Sequence, residues 1–65
     1  MEKPETPLEV ARRHVAEQEA RILQQQEIIR RLEAVDGSTL VAKQVLATMG
    51  RTLTIMRNDL ARLSN

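Results

Sequence analysis

The stretch LEAVDGSTL, residues 32–40, decides how this chain folds. It holds one of only two glycines, and it separates two long segments rich in Ala, Leu, Glu, Gln and Arg. Gly37 is expected to take the left-handed conformation that ends a helix, and Ser38 or Thr39 is expected to cap the next helix. The connection of Asp36, Gly37 and Ser38 is so short that the two helices must run antiparallel. The sequence therefore predicts an all-α fold, an antiparallel αα-hairpin.

The start of the first helix carries its own signals. Thr6 can cap the helix, and Pro7 stands at the first helical position, where a missing N–H costs nothing. Glu9 follows three residues after Thr6 and completes the pattern of a capping box. No helix breaker follows before the turn. The expected boundaries are a flexible tail over residues 1–6, a single helical-hairpin domain over 7–65, helix 1 over about 7–36 and helix 2 over about 38–63.

Composition restricts how so short a chain can be stable. A chain of 65 residues buries a modest fraction of its surface and usually needs a staple or a partner. It has no cysteine, so neither a disulfide nor a thiolate metal site can serve. It has no aromatic residue either, so the core must be built from Leu, Ile, Val, Met and Ala. Partner subunits are the remaining source of stability.

Both segments repeat apolar residues at spacings of three and four, which predicts coiled-coil-like packing at a shallow crossing angle. Further apolar residues gather at the turn, where a lone hairpin would leave them wet. Because buried apolar area is worth about 25 cal/mol per Å², we expect two hairpins to dock as a homodimeric four-helix bundle; a higher oligomer or another obligate partner is the alternative. The residues expected in this pairing and dimer core are Leu8, Val15, Ile22, Ile28, Ile29, Leu32, Val35, Leu40, Val41, Val45, Leu46, Met49, Leu53, Met56, Leu60 and Leu63.

Two glutamines interrupt the apolar spacing of the first helix. Folding about the turn places Gln25 opposite Met49, and Gln18 opposite Met56. A methionine side chain is adaptable and can pack against a glutamine stem. The carboxamides are expected to hydrogen-bond each other or water. Polar layers of this kind can fix the helix register and the oligomeric state, which is the role predicted for both glutamines.

The remaining polar residues do not form a chemical site in the sequence. The only histidine, His14, is predicted to lie near Asp59 and to pair with it across the helices. A metal site of the helical carboxylate–histidine kind needs more acids on the second helix, which offers Asp59 alone. No serine stands beside the histidine, and no glycine-rich phosphate loop occurs. Neither a cofactor, a metal nor an enzymatic activity is expected.

Gly50 is unusual because it lies inside the second helix. A glycine there costs up to about 1 kcal/mol relative to alanine. Two interpretations stay open. Either a neighbouring helix approaches closely at this point, or the position tolerates a surface glycine without a packing role.

Charge and hydropathy restrict the kinds of partner that can be expected. The net charge is +1, but residues 38–65 carry four cations and one acid. That surplus is smaller than the dense basic stripe typical of nucleic-acid binding, and no aromatic side chain is present for base stacking. The sequence has no run of 18 apolar residues, and its start MEKPETP does not have the pattern of a signal peptide. We therefore expect a cytoplasmic protein with no membrane partner.

Several short runs resemble those of a group of short hypothetical helical-hairpin proteins from soil alphaproteobacteria. The runs are residues 14–17, 28–33, 36–39, 46–49 and 56–63. The resemblance spans about residues 11–63, and it implies a hairpin of bacterial, cytoplasmic origin. The group has no established activity, so the resemblance supplies no function.

These features together predict a non-enzymatic protein that binds a copy of itself. Its surplus apolar surface and lack of catalytic groups favour a protein–protein interaction module, acting as an adaptor or a small regulator, which also engages an unidentified protein partner. The alternative is a nucleic-acid-associated regulator that uses arginines of the second helix, Arg51 and Arg57.

Overall fold

The computed structural model describes residues 4–64, and within them the chain forms two antiparallel helices and no strand. Helix α1 spans Pro7–Ala34 and helix α2 spans Leu40–Ser64. The two helices pack against each other. The predicted all-helical, two-helix fold is confirmed. Of the predicted tail, residues 1–3 lie outside the described residues, and Glu5 forms a 3.0 Å ion pair with Arg13 of α1.

The beginning of α1 follows the sequence signals closely. Thr6 has extended backbone angles, and its Oγ1 accepts a hydrogen bond from the backbone N–H of Glu9 at 3.1 Å. The same hydroxyl donates to the Glu9 carboxylate at 3.1 Å. Pro7 opens the helix, as predicted. Thr6 therefore caps the helix. The Glu9 carboxylate accepts from the Thr6 hydroxyl, whereas in a capping box it would accept from the Thr6 backbone N–H.

The turn differs from the prediction in its boundaries and in its left-handed residue. Helix α1 ends at Ala34, two residues early, and the residue in the left-handed conformation is Asp36, with φ 56°, instead of Gly37. The Gly37 N–H donates to the Leu32 carbonyl at 2.7 Å, and the Asp36 N–H donates to that of Glu33 at 3.3 Å. This pair of bonds is the Schellman motif, which satisfies carbonyl groups at a helix end. Aspartate tolerates the left-handed region better than most side chains do.

Gly37 leaves little room for a side chain. A Cβ atom built at this position would stand 3.2 Å from both the Leu32 carbonyl oxygen and Leu32 Cδ2. The next helix begins at Leu40, two residues after the predicted start, and the Thr39 carbonyl accepts the first bond of the helix from Lys43 N–H at 2.8 Å. The connection is therefore longer than the three residues predicted, yet still short enough to hold the helices antiparallel.

The core between the helices is thin. Among the described residues, the buried side chains are those of Val15, Gln18, Ile29 and Leu53, and none of them is completely enclosed. The hairpin extends over 50 × 27 × 13 Å. Its radius of gyration is 15.4 Å, against about 11 Å for a compact domain of this length. One hairpin alone therefore buries little.

The residues predicted to form the core divide into two groups. Ten of them are buried or half-buried between the helices: Leu8, Val15, Ile22, Ile29, Leu32, Leu46, Met49, Leu53, Met56 and Leu60. The other six are exposed in the single chain: Ile28, Val35, Leu40, Val41, Val45 and Leu63. The second group could be buried only by something outside this hairpin.

Gly50 has no close neighbour among the described residues, because a Cβ atom added there would meet nothing within 4 Å. The close-approach interpretation therefore does not hold within the hairpin. The backbone at Gly50 has helical geometry that alanine also adopts, and alanine restricts the unfolded chain more than glycine does.

We predict that Gly50→Ala raises the free energy of unfolding by about 0.5–1 kcal/mol. Chemical unfolding followed by circular dichroism, at matched protein concentration, measures the change. The control is Gly37→Ala, which should destabilise because its Cβ would press on Leu32. A destabilised Gly50→Ala variant with an altered oligomeric state would show that a second chain packs on Gly50.

Candidate interaction surface

Both glutamines of α1 hydrogen-bond the backbone of α2. Gln18 Nε2 donates to the Met49 carbonyl at 3.1 Å, and Gln25 Nε2 donates to the Ala42 carbonyl at 3.0 Å. Gln18 is only 5% exposed, so its amide needs a partner inside the protein. Each helix carbonyl has a second lone pair to offer beyond its own helical bond. The two bonds repeat the same arrangement one heptad apart.

The predicted hydrogen-bond partners of the glutamine carboxamides were wrong, because both bond backbone carbonyls of α2. Gln18 was placed opposite Met56 and Gln25 opposite Met49, with the carboxamides bonding each other or water. Each observed acceptor lies seven residues earlier in α2 than the predicted neighbour. The predicted neighbours follow from counting residues outward from the turn along both helices. Such a count does not include the need of a buried amide for a hydrogen-bond acceptor, which a long side chain can reach further along the facing helix.

The two glutamine bonds tie α1 to one position along α2. A slide of one residue would move both amides away from their acceptors, and Gln18 would remain buried without a partner. An unsatisfied buried polar group costs about 1–3 kcal/mol. The acceptor carbonyls keep their own helical bonds, so they lose little if the glutamines are absent.

We predict that the double variant Gln18→Leu, Gln25→Leu is at least as stable as the wild type, because leucine fills the space without needing a hydrogen bond. It should however lose uniqueness of helix register and oligomeric state. Analytical ultracentrifugation and the dispersion of amide NMR signals measure this. A double variant that stays uniquely paired, with one set of signals, would contradict the register role of the glutamines.

The predicted pair of His14 and Asp59 is not formed. Asp59 accepts a hydrogen bond from Arg62, one turn further along α2, and His14 is exposed with no hydrogen bond to Asp59. The local Arg62 competes successfully because residues three apart on a helix are neighbours. Within residues 4–64 there is also no cluster of three or more His, Cys, Asp or Glu side chains that could hold a metal ion.

One side of the hairpin is marked by ion pairs that join the two helices. Glu19 of α1 bonds Arg57 of α2 at 3.1 Å, and Glu33 of α1 lies 3.8 Å from Lys43 of α2. All four side chains are exposed. Pairs of this kind contribute only about 0–1 kcal/mol each. We call the side of the hairpin that carries these two ion pairs the charged flank.

The opposite side of α2 is apolar near the turn. A helix advances about 100° per residue, so Val45 and Val41 lie about 80° and 120° to one side of the buried Leu53. Arg57 and Lys43 lie about 40° and 80° to the other side. Val41 and Val45 are therefore on the flank away from the ion pairs, and their side chains are 69% and 40% exposed.

Ile28 of α1 and Val35, which directly follows α1, add two apolar residues to the same side. Measured from the buried Ile29, the positions of Ile28 and Val35 lie about 100° and 120° away from the interface, and Glu19 and Glu33 lie on the other side. Ile28 is 48% exposed and Val35 is 75% exposed. We call the side formed by Ile28, Val35, Val41 and Val45 the apolar flank.

A shallow groove of about 430 Å³ runs along the apolar flank. Its lining residues are uncharged and come mainly from α2: Gln18, Val41, Gln44, Val45, Thr48, Met49 and Thr52. Sequence reasoning grouped the valines with the turn and missed their continuation into Thr48 and Thr52. The spacing of three and four residues from Val41 onward was the signal that could have revealed this second stripe of α2.

The outer surface of α1 carries a compact charge cluster. The Glu27 carboxylate accepts hydrogen bonds from Arg30 and, at 3.1 Å, from Arg31. The hydrogen bond from Arg30 is the main cause that lowers the pKa of Glu27 from 4.5 to about 2, and the bond from Arg31 adds to it. Glu27 and Arg31 lie four residues apart, a spacing that makes them neighbours on the helix surface.

We predict that Glu27 stabilises the fold above its unfolded pKa and that this contribution is lost as the pH falls from about 4.5 toward 2, because the folded pKa is the lower one. An NMR titration of the Glu27 side-chain carbon measures the pKa directly. The variant Glu27→Gln should lack this part of the acid dependence of unfolding. Titration of Glu27 at the ordinary value would contradict the prediction.

Comparison of the chain with protein-family models, with curated proteins and with solved structures finds no match. The resemblance to helical-hairpin proteins of soil alphaproteobacteria therefore stays a prediction. In the described part of the chain, neither helix is both long enough and apolar enough to cross a membrane. The apolar flank and the groove along it are the features from which a function must be argued.

Proposed function

We propose that this protein is a non-enzymatic protein–protein interaction module that works as a homodimer, in the role of an adaptor or small regulator. The observation that carries the proposal is the large apolar surface of the single hairpin. Among residues 4–64, the large apolar side chains that are exposed are Leu23, Ile28, Val35, Leu40, Val41, Val45, Ile55 and Leu63. Only three apolar side chains are buried in the same range.

The total accessible surface supports the same proposal. The chain exposes 5298 Å², whereas a compact monomer of its mass, 7.4 kDa, exposes about 4,200 Å². A chain of this size that has no cysteine for a disulfide needs another source of burial to be stable. Docking on a partner supplies it, and a copy of the same chain is the partner always present at matching concentration.

A four-helix bundle with twofold symmetry is the architecture proposed for the dimer. Two hairpins supply four helices whose apolar residues have coiled-coil-like spacing. Four-helix bundles are built from helices of this kind. The interface of a twofold dimer uses the same patch on both chains, so one apolar surface per chain is sufficient. The surface left outside the bundle remains for another protein.

The alternative role in nucleic-acid binding receives less support. Three of the four cations of α2, namely Lys43, Arg57 and Arg62, each pair with a carboxylate. Arg51 donates to the Thr48 hydroxyl at 3.2 Å and points along its own helix. The positive surplus of the second half of the chain is therefore partly compensated by acids of α1, and the described residues of α2 form no continuous basic surface.

We predict a mass close to twice 7.4 kDa for the purified protein at micromolar concentration. Light scattering coupled to size exclusion, repeated over a dilution series, measures the mass and the dissociation constant. Dilution should lower the helical circular dichroism signal as the dimer dissociates, because the single hairpin has a thin core. A stable, fully helical monomer throughout the series would overturn the proposed function.

A further inference from the structure

The apolar flank changes character along its length. Its turn half carries Ile28, Val35, Val41 and Val45, all exposed and apolar. Toward the chain ends the same side carries polar residues, by the same count of about 100° per residue. These residues are His14, Glu17 and Arg21 of α1 and Thr52 and Asp59 of α2. Leu63 is the one exposed large apolar side chain found there among the described residues.

The charged flank is unsuited to an interface between copies. Closing it would remove water from the ion pairs of Glu19 with Arg57 and of Glu33 with Lys43. Desolvating such pairs costs as much as or more than their attraction returns. The centres of protein interfaces are correspondingly poor in charged residues. Within residues 4–64, the ion pairs that join the two helices lie on the charged flank, whereas the apolar flank has a groove lined by uncharged residues.

The size of the hairpin fits a second copy. It measures 50 by 27 Å in its broad plane and 13 Å across it. A stable interface of standard size buries about 800 Å² per partner. The turn half of one broad side can supply most of this area, and the loosely paired half near the chain ends adds the rest.

Two directions of docking are possible for twofold pairing of this flank. With the turns at opposite ends, Val41 and Val45 of one chain would lie against the region of His14, Glu17 and Asp59 of the other. That would bury charged groups against valines without new partners. With the turns at the same end, valines and isoleucine meet their own copies, and the polar halves meet each other where Thr52 and Arg21 can stay hydrated.

We infer that two copies of this chain pack with their apolar flanks face to face and with both turns at the same end of the bundle. The partner is a second copy of this chain, and the centre of the interface is formed by Ile28, Val41 and Val45. The inference rests on the proposed function, since it specifies the surface and direction of the proposed dimer. The polar halves at the other end of the bundle pair less tightly and stay open to water.

The direction is tested with a single spin label per chain. Ser38 is exposed in the turn, and the absence of native cysteine makes Ser38→Cys a unique attachment site. Packed helices lie about 8–10 Å apart, so same-end docking should give a label-to-label distance below about 30 Å. Opposite-end docking would place the labels near the full 50 Å length of the molecule.

Each outcome of the labelling experiment has a separate meaning. A short distance supports the inference, and a distance near 50 Å overturns it while leaving the dimer in place. Absence of dipolar coupling, together with a monomeric mass, overturns the proposed function itself. The converse test mixes chains labelled at Ser64→Cys with chains labelled at Ser38→Cys. A short distance between these two positions is expected only for opposite-end docking.

The surface is tested by a matched pair of substitutions. Val41 is 69% exposed on the apolar flank, and Leu23 is 68% exposed on the side of Glu19 and Arg57. Val41→Lys should raise the dimer dissociation constant at least about tenfold, because two like charges would face each other near the symmetry axis. Leu23→Lys should leave the constant within about twofold. Equal effects, or a larger effect of Leu23→Lys, would overturn the assignment of the surface.

Discussion

The limit on what two helices can bury governs this protein. A pair of helices in contact hides one stripe of each, and every further apolar residue stays at the surface. This chain has no aromatic side chain to thicken the contact and no cysteine to tie it. Its apolar content nevertheless exceeds what one stripe holds, so that residues such as Val35 and Val41 stand exposed. The observed fold and the proposed association follow from the same shortage of interior.

The polar contacts of the hairpin are divided by location. Gln18 and Gln25 act between the helices, where each has a neutral amide bonded to a backbone carbonyl. The charged contacts across the helices, such as Glu19 with Arg57, lie at the exposed edge. Neutral groups therefore set the alignment of the helices at little desolvation cost, while the charged groups stay exposed, where they keep their hydration.

Much of the fold could be predicted from the sequence, because helix signals act over a few residues. Thr6 and Pro7 begin α1 as expected, and the spacing of apolar residues identifies which side of each helix faces the other. The left-handed residue was assigned to Gly37, the residue with the least steric cost, although the bonds to Leu32 and Glu33 place Asp36 there. The conformational preferences of single residues could not decide between the neighbouring positions 36 and 37.

The polar contacts and the division of the surface were less accessible to sequence reasoning. The partners of Gln18 depend on how far one helix slides along the other, and Asp59 had a nearer cation in Arg62 than His14. The apolar and charged flanks appear only when both helices are placed side by side. The turn has one more consequence. Two long helices could merge into one rod and exchange halves with another chain, but the left-handed Asp36 and the Gly37–Leu32 bond break helical continuity there and favour closure of each chain on itself.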